Sequence, residues 1–214
     1  MANVIQTFTR TLALVECGVA SVTAPDQDVC GDRHLVKTLP QGALLAVVDG
    51  CGHGAEAAAA ARLAMETLDA HGGEDLAALL HRCHERLKST RGAVVSVALL
   101  NGVENTLNWL GVGNIEGVLL RDCSALSPAR GKTERLLLRP GILGYRLPAL
   151  QAHTTSIYPR DFIILATDGI RPDFDHPYRP EEEPCRIAES IAATCRTQCD
   201  DGLVLAARYQ GFDS

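Results

Sequence analysis

Leu44-Leu45-Ala46-Val47-Val48-Asp49-Gly50-Cys51-Gly52-His53-Gly54-Ala55 is the stretch on which the rest of the chain turns. Leu44–Val48 is a short unbroken apolar run, the pattern of a buried strand. It stops at Asp49-Gly50. A strand end holds a carboxylate rigidly at the mouth of a sheet, and glycine lets backbone or ligand come close. Gly50-x-Gly52-x-Gly54 then forms a loop. Ala55–Ala70 follows as a helix, because the alanine run at 57–61 and Arg62-Leu63-Ala64-Met65 are strong helix formers. His71-Gly72-Gly73 ends it.

Working outward, Thr11–Val19 reads as a first strand and Pro25–Asp28 as a turn. Asp75–Lys88 is a second helix, with Leu76, Leu79, Leu80, Cys83 and Leu87 on one face. Strand-like segments follow at Ala93–Leu100, Thr106–Val112, Ile115–Leu120, Glu134–Leu138 and Ala152–Tyr158, with a turn at Asn101-Gly102 and a break at Gly113-Asn114. Phe162–Thr167 is a second buried strand that ends in Asp-Gly, at 168–169. Arg171–Pro184, rich in proline and charge, is an exposed loop. Pro184–Thr197 is a last helix and Leu203–Arg208 a last strand. Two early helices, a run of strands, a late helix and a final strand predict an α+β domain with antiparallel sheets.

A length of 214 residues fits one domain spanning 1–214. The net charge of −6 gives no electrostatic footprint for nucleic acid or an anionic membrane. Aromatics at 4% argue against a single-strand base-stacking surface. No apolar run approaches the ~20 residues that span a bilayer. Eight cysteines without a CxxC pair, and no basic-then-apolar leader, predict reduced thiols and a cytoplasmic protein.

Gly31-Asp32, Asp49-Gly50, Asp168-Gly169 and Asp200-Asp201-Gly202 each put a carboxylate at a glycine-marked position. One such pair alone is a turn. Several converging carboxylates repel one another and call for a cation, and oxygen-only ligands suit Mg2+ or Mn2+. Val48-Asp49-Gly50-Cys51-Gly52-His53-Gly54-Ala55 resembles the DGxGHG signature of the metal-dependent (type 2C, PPM) serine/threonine protein phosphatases. Within that family it is most similar to the SpoIIE-like and RsbX-like branch of partner-switching signalling. Asp28–Asp32 resembles the family's early SGD element, and Gly111-Val112-Gly113-Asn114 its GxGN hairpin. Pro140–Gly144 resembles its glycine-rich segment, Ala166–Gly169 its TDG element and Asp200-Asp201 its terminal acidic pair.

The resemblance implies a four-layer αββα sandwich of two antiparallel sheets flanked by helices. It implies two divalent cations, Mn2+ or Mg2+, held by Asp32, Asp49, Asp168 and Asp200 and by the carbonyl of Gly50, with Asp201 the alternative to Asp200 as the terminal ligand. It implies hydrolysis of phosphoserine or phosphothreonine by a metal-bridging water, on phosphorylated STAS-domain proteins of stressosome or anti-sigma-antagonist type. Cys30 stands where the family commonly has Ser, which leaves Cys30 and Cys51 within two residues of Asp32 and Asp49. His53 is the candidate proton donor to the leaving alkoxide, against a loop or cap histidine. Arg33 is the candidate to grip phosphate bidentately, against a solvated arginine. The charged Asp173–Glu183 loop is a candidate docking element.

Two rivals remain. Gly50-x-Gly52-x-x-Ala55 fits a dinucleotide fingerprint, but Asp49 would oppose a pyrophosphate and a second helix stands where a parallel strand is needed. A catalytically inactive phosphatase-fold binding module is the other, and the filled acidic positions count against it. His81-x-Cys83-His84 does not converge on a zinc ion.

Overall fold

The computed structural model describes residues 5–11, 14–25, 27–122, 132–174, 181–197 and 199–211. One sheet holds six strands: β1 (Gln6–Thr11), β2 (Val15–Val22), β12 (Gly202–Tyr209), β11 (Phe162–Ala166), β7 (Glu116–Leu120) and β8 (Thr133–Arg135), in that spatial order. The other runs β10 (His153–Ser156), β6 (Thr106–Val112), β5 (Ala93–Asn101), β4 (Gly42–Gly50) and β3 (Asp32–Leu39), and a short β9 (Leu138–Arg139) pairs parallel to β6. The other strand pairs are antiparallel.

Three cores define the layers. Between the sheets lie Val19, Leu45, Val47, Trp109, Leu119, Ile163 and Leu205. The opposite face of β4 and β5, with Leu44, Ala46, Val48, Val95 and Val97, packs on α1 (Gly54–His71) and α2 (Leu76–Leu87). The outer face of β11 and β12, with Ile164, Val204 and Ala206, packs on α3 (Pro184–Thr194) through Ile187 and Ile191. Strands buried on both faces are apolar throughout, which is why β4 and β11 read as solid runs. Helices, sheet, sheet and helix make the expected αββα sandwich. α1 approaches its sheet on alanines 57, 60, 61 and 64, whose small side chains let the helix lie close.

Several boundaries differ from expectation. The first segment is two paired strands, β1 and β2, and residues 12 and 13 of the expected strand lie outside the described residues. β3 carries Arg33, His34 and Lys37, so its pattern is not apolar, yet it pairs along its whole length with β4 at a sheet edge. Glu134–Leu138 divides: β8 joins one sheet and β9 the other, with buried Leu136 between them. α3 stops at Thr194, because Cys195 caps it and Arg196 bridges to Ile170. Residues 175–180 of the expected Arg171–Pro184 loop lie outside the described residues. Among the described residues no helix is long and apolar enough to cross a membrane.

Candidate metal centre

The acidic residues meet because the strand ends do. β3 begins at Asp32 and β4 ends at Asp49, and these two stand opposite each other in the ladder. From the other sheet, β11 ends just before Thr167-Asp168, and β12 begins just after Asp200-Asp201. Antiparallel pairing brings both sets to one edge of the sandwich. A cleft of about 760 Å3 opens there, lined by Asp49, Asp168 and Asp200 together with Cys51, His53 and Asn114. No lysine or arginine is among its described lining residues.

Glycine makes the close approach possible. A Cβ on Gly50 would fall 2.0 Å from the carbonyl oxygen of Ala57 in α1, so only glycine lets the helix start against the end of β4. A Cβ on Gly169 would fall 1.8 Å from the carbonyl oxygen of Asp201, which brings the two acidic turns of this sheet side by side.

Each carboxylate has a different setting. Asp32 is buried and accepts a hydrogen bond from the Thr167 hydroxyl at 2.8 Å, across the two sheets. The same hydroxyl accepts the Leu203 amide at 2.8 Å, which fixes its proton toward Asp32. Asp168 is exposed to the cleft and accepts from Asn114 Nδ2 at 2.7 Å. Asp200 is exposed and lines the cleft. Asp201 is buried, with one oxygen accepting the Ala24 amide at 2.7 Å and the other the Gly31 amide at 2.6 Å. Asp201 thus ties the segment before β3 to the start of β12, and Asp200 is the member of the pair that faces the cleft. Asp201→Ala should cost about 2–4 kcal/mol of stability, since two buried amides lose charged partners. Asp200→Ala removes only the partly buried bond from the Asp201 amide and should cost less, about 1 kcal/mol. Denaturant melts of the two variants compare them directly.

Electrostatics marks the cluster as uncompensated. Burial, then the Asp49 charge, holds the Asp32 carboxyl well above the usual range. Burial pushes Asp49 up to about 7, with Asp168, Asp200 and Asp201 adding to it. Burial and Asp200 raise Asp168, and the Asn114 bond opposes them. Carboxylates that raise one another, with no cationic side chain among the described residues lining their cleft, fit a divalent ion. Among the described residues no three His, Cys, Asp or Glu side chains already close on a single point. Mg2+ commonly keeps several waters and takes only one or two carboxylates directly, a looser arrangement that matches carboxylates standing apart.

Other expected residues fall unevenly. His53 is the N-cap of α1 and lines the cleft, and its side chain makes no capping bond. Arg33 is not brought to the cleft: its Nη1 donates to the carbonyls of Cys30 and Asp32, both at 2.7 Å. Burial and then Asp32 push the Cys30 thiol up to about 12, and burial followed by Asp49 raises that of Cys51. Both therefore stay protonated rather than reactive at neutral pH. The sequence by itself points to no role for Asn114 or Thr167, although both lie in its GxGN and TDG elements. Among the described residues every cysteine is a free thiol.

Comparison with known proteins agrees with this geometry. The family described as Stage II sporulation protein E (SpoIIE) matches residues 40–208, more than three quarters of the chain. The phosphoserine phosphatase RsbX of Bacillus subtilis (strain 168) is 24% identical over 176 residues, covering 82% of this chain and 85% of that protein. A solved chain from work on the bacterial stressosome, described as a modular system adapted to control secondary messenger signaling, superposes with a TM-score of 0.82 at 29% identity. It covers 91% of this chain and 99% of that one. A crystal structure of RsbX in complex with magnesium gives a TM-score of 0.82 at 22% identity, covering 97% of this chain and 100% of that one. With its acidic cluster at the meeting of two sheets and this match along most of its length, the chain belongs to the SpoIIE family of PP2C-type phosphatase domains.

Proposed function

We propose that this chain is a metal-dependent protein serine/threonine phosphatase that resets phosphorylated STAS-domain partners of a stressosome-type complex in the cytoplasm. The observation that carries this reading is the cleft itself. Carboxylates from two sheets share one edge, raised by burial and then by mutual repulsion, and among the described residues no cationic side chain lines the cleft they share.

On this reading Asp49, Asp168, Asp200 and the carbonyl of Gly50 hold two divalent cations, Mn2+ or Mg2+, with Asp32 behind them. When bound, such ions neutralise a phosphoryl group and supply a water for in-line attack. The chain's own residues do the rest. Thr167 and Asn114 fix one oxygen each of Asp32 and Asp168, so the charges need not reorganise when substrate enters. The P–O bond to the substrate serine breaks as water oxygen bonds to phosphorus, and the leaving alkoxide takes up a proton. His53, on the cleft wall with its ring free of the helix cap, is placed to give that proton.

The relatives support the partner class: one is called a phosphoserine phosphatase, and another comes from the stressosome. The test is to incubate the protein with phosphorylated STAS proteins from its own genome, with Mn2+ or with excess chelator, and to follow phosphate loss by mass spectrometry. Loss of phosphoserine only with metal is expected. Full turnover in chelator, or none with metal, would overturn the reading.

A further inference from the structure

Four residues before Val95, in the turn between α2 and β5, Arg91 is a cation that the phosphatase reading has not used. Its guanidinium does not itself line the cleft but lies beside Gly52, which does: a Cβ at Gly52 would stand 2.9 Å from Arg91 Nη1. Gly52 has φ +90 and lines the cleft beside His53. The bare glycine therefore serves two ends, a left-handed turn and room for the guanidinium.

The turn that carries Arg91 is stitched to two segments that line the cleft. The Cys51 amide donates to the Gly92 carbonyl at 3.0 Å, which ties the turn to the glycine loop. Ala93 and Leu143 exchange amide–carbonyl bonds at 3.1 and 2.9 Å, which ties it to the segment whose Pro140, Gly141 and Ile142 also line the cleft. A Cβ on Gly92 would fall 2.5 Å from the Leu143 carbonyl oxygen, so this junction is tight. The backbone of Arg91 is thus fixed while its side chain is half-exposed.

Arg91 pairs with Glu56 in the first turn of α1, and both side chains are more than half exposed, at 52% and 69%. An exposed pair of this kind holds its partners weakly. A planar guanidinium exchanges such a partner readily for a phosphate dianion, which it can grip bidentately. Arg33, the cation expected to do this from sequence, is spent on backbone carbonyls.

We infer that Arg91 is the phosphate-binding cation of this cleft, released from Glu56 when the phosphoryl group of the substrate enters. The inference rests on the phosphatase reading for the identity of the substrate, but the anion contact can be measured apart from turnover.

The test compares Arg91→Ala and Glu56→Gln in the Mn2+-loaded protein. Both break the same ion pair, so a purely structural pair would move both variants in the same direction. If Arg91 binds phosphate, the directions are opposite. Arg91→Ala should weaken inorganic phosphate binding, read by calorimetry, about tenfold, the scale of one lost charge-assisted contact. Glu56→Gln should tighten it about twofold, as expected for removal of an exposed competitor. The KM of both an aryl phosphate and a phosphoserine protein should follow the same order, with kcat changed less than about threefold. Arg91→Lys should recover part of the loss and not all of it. Equal shifts in the two variants would refute the assignment. So would a loss confined to the protein substrate, because that would place Arg91 on the peptide rather than on the phosphate. A wild-type protein that binds inorganic phosphate through Arg91 but hydrolyses no phosphoester would sink the phosphatase reading and leave this one standing.

Discussion

Asp49→Asn is expected to lower hydrolysis of a phosphoserine protein by more than a hundredfold at saturating Mn2+, and Asp168→Asn to do the same. Loss of an outer partner of a metal ligand already costs about 10–100-fold. Removing the charge of a carboxylate that touches the ion should cost more. Asparagine keeps the shape of each side chain. At Asp49 the ladder bonds to β3 and β5 belong to the backbone and survive the change. At Asp168 an amide oxygen can still accept from Asn114 Nδ2. Folding should therefore persist, and circular dichroism with a thermal melt checks that. Single-turnover assays across a range of Mn2+ concentrations measure the loss. Turnover near that of the wild type in either variant would remove that residue from the proposed ligand set.

What the sequence makes legible follows from local patterning. β4 and β11 are apolar on both faces and end in Asp-Gly, so strand and carboxylate announce each other. α1 and α2 announce themselves by alanine content and by the spacing of Leu76, Leu79, Leu80, Cys83 and Leu87. β3 hides because an edge strand tolerates polar residues such as Arg33, His34 and Lys37, two of which find partners beside the sheet: Arg33 donates to the carbonyls of Cys30 and Asp32, and Lys37 pairs with Asp69. The division of β8 from β9 hides because a crossing between sheets has no period of its own. In the site, glycine flags each acidic residue. The division of labour between Asp200 and Asp201 does not show in sequence: it depends on the amides of Ala24 and Gly31, some 170 positions away along the chain. The pairing of Thr167 with Asp32 and of Asn114 with Asp168 is equally non-local. Arg33 adjoins a proposed ligand in sequence and yet donates to the carbonyls of Cys30 and Asp32. Arg91, remote in sequence, lies beside Gly52 of the cleft.

The raised carboxyls also fix how the protein should respond to pH and metal. Unfolded, Asp49 titrates near its ordinary value of 3.8; folded, burial and its acidic neighbours move it to about 7. Between these values the folded chain holds a proton that the unfolded chain has lost. Stability of the metal-free protein should therefore fall as pH rises through that window, and the loss is complete above about 7. Asp32 and Asp168 are shifted in the same direction and deepen the fall. A divalent ion supplies the missing counter-charge only where the carboxylates are ionised. At a hundredfold excess over its Kd it should add about 2.7 kcal/mol. For a domain of this size that is a rise in Tm of roughly 5–10 °C. The rise should be large at pH 7.5 and small at pH 5, where protons already occupy the cluster. Melts in chelator and in Mn2+ at both pH values measure it. Asp49→Asn should flatten the metal-free slope, because the variant carries no charge there to repel its neighbours. A metal-free Tm that climbs from pH 5 to 7.5, or a Mn2+ shift no larger at the higher pH, would mean that the carboxylates do not share one field and do not form one site.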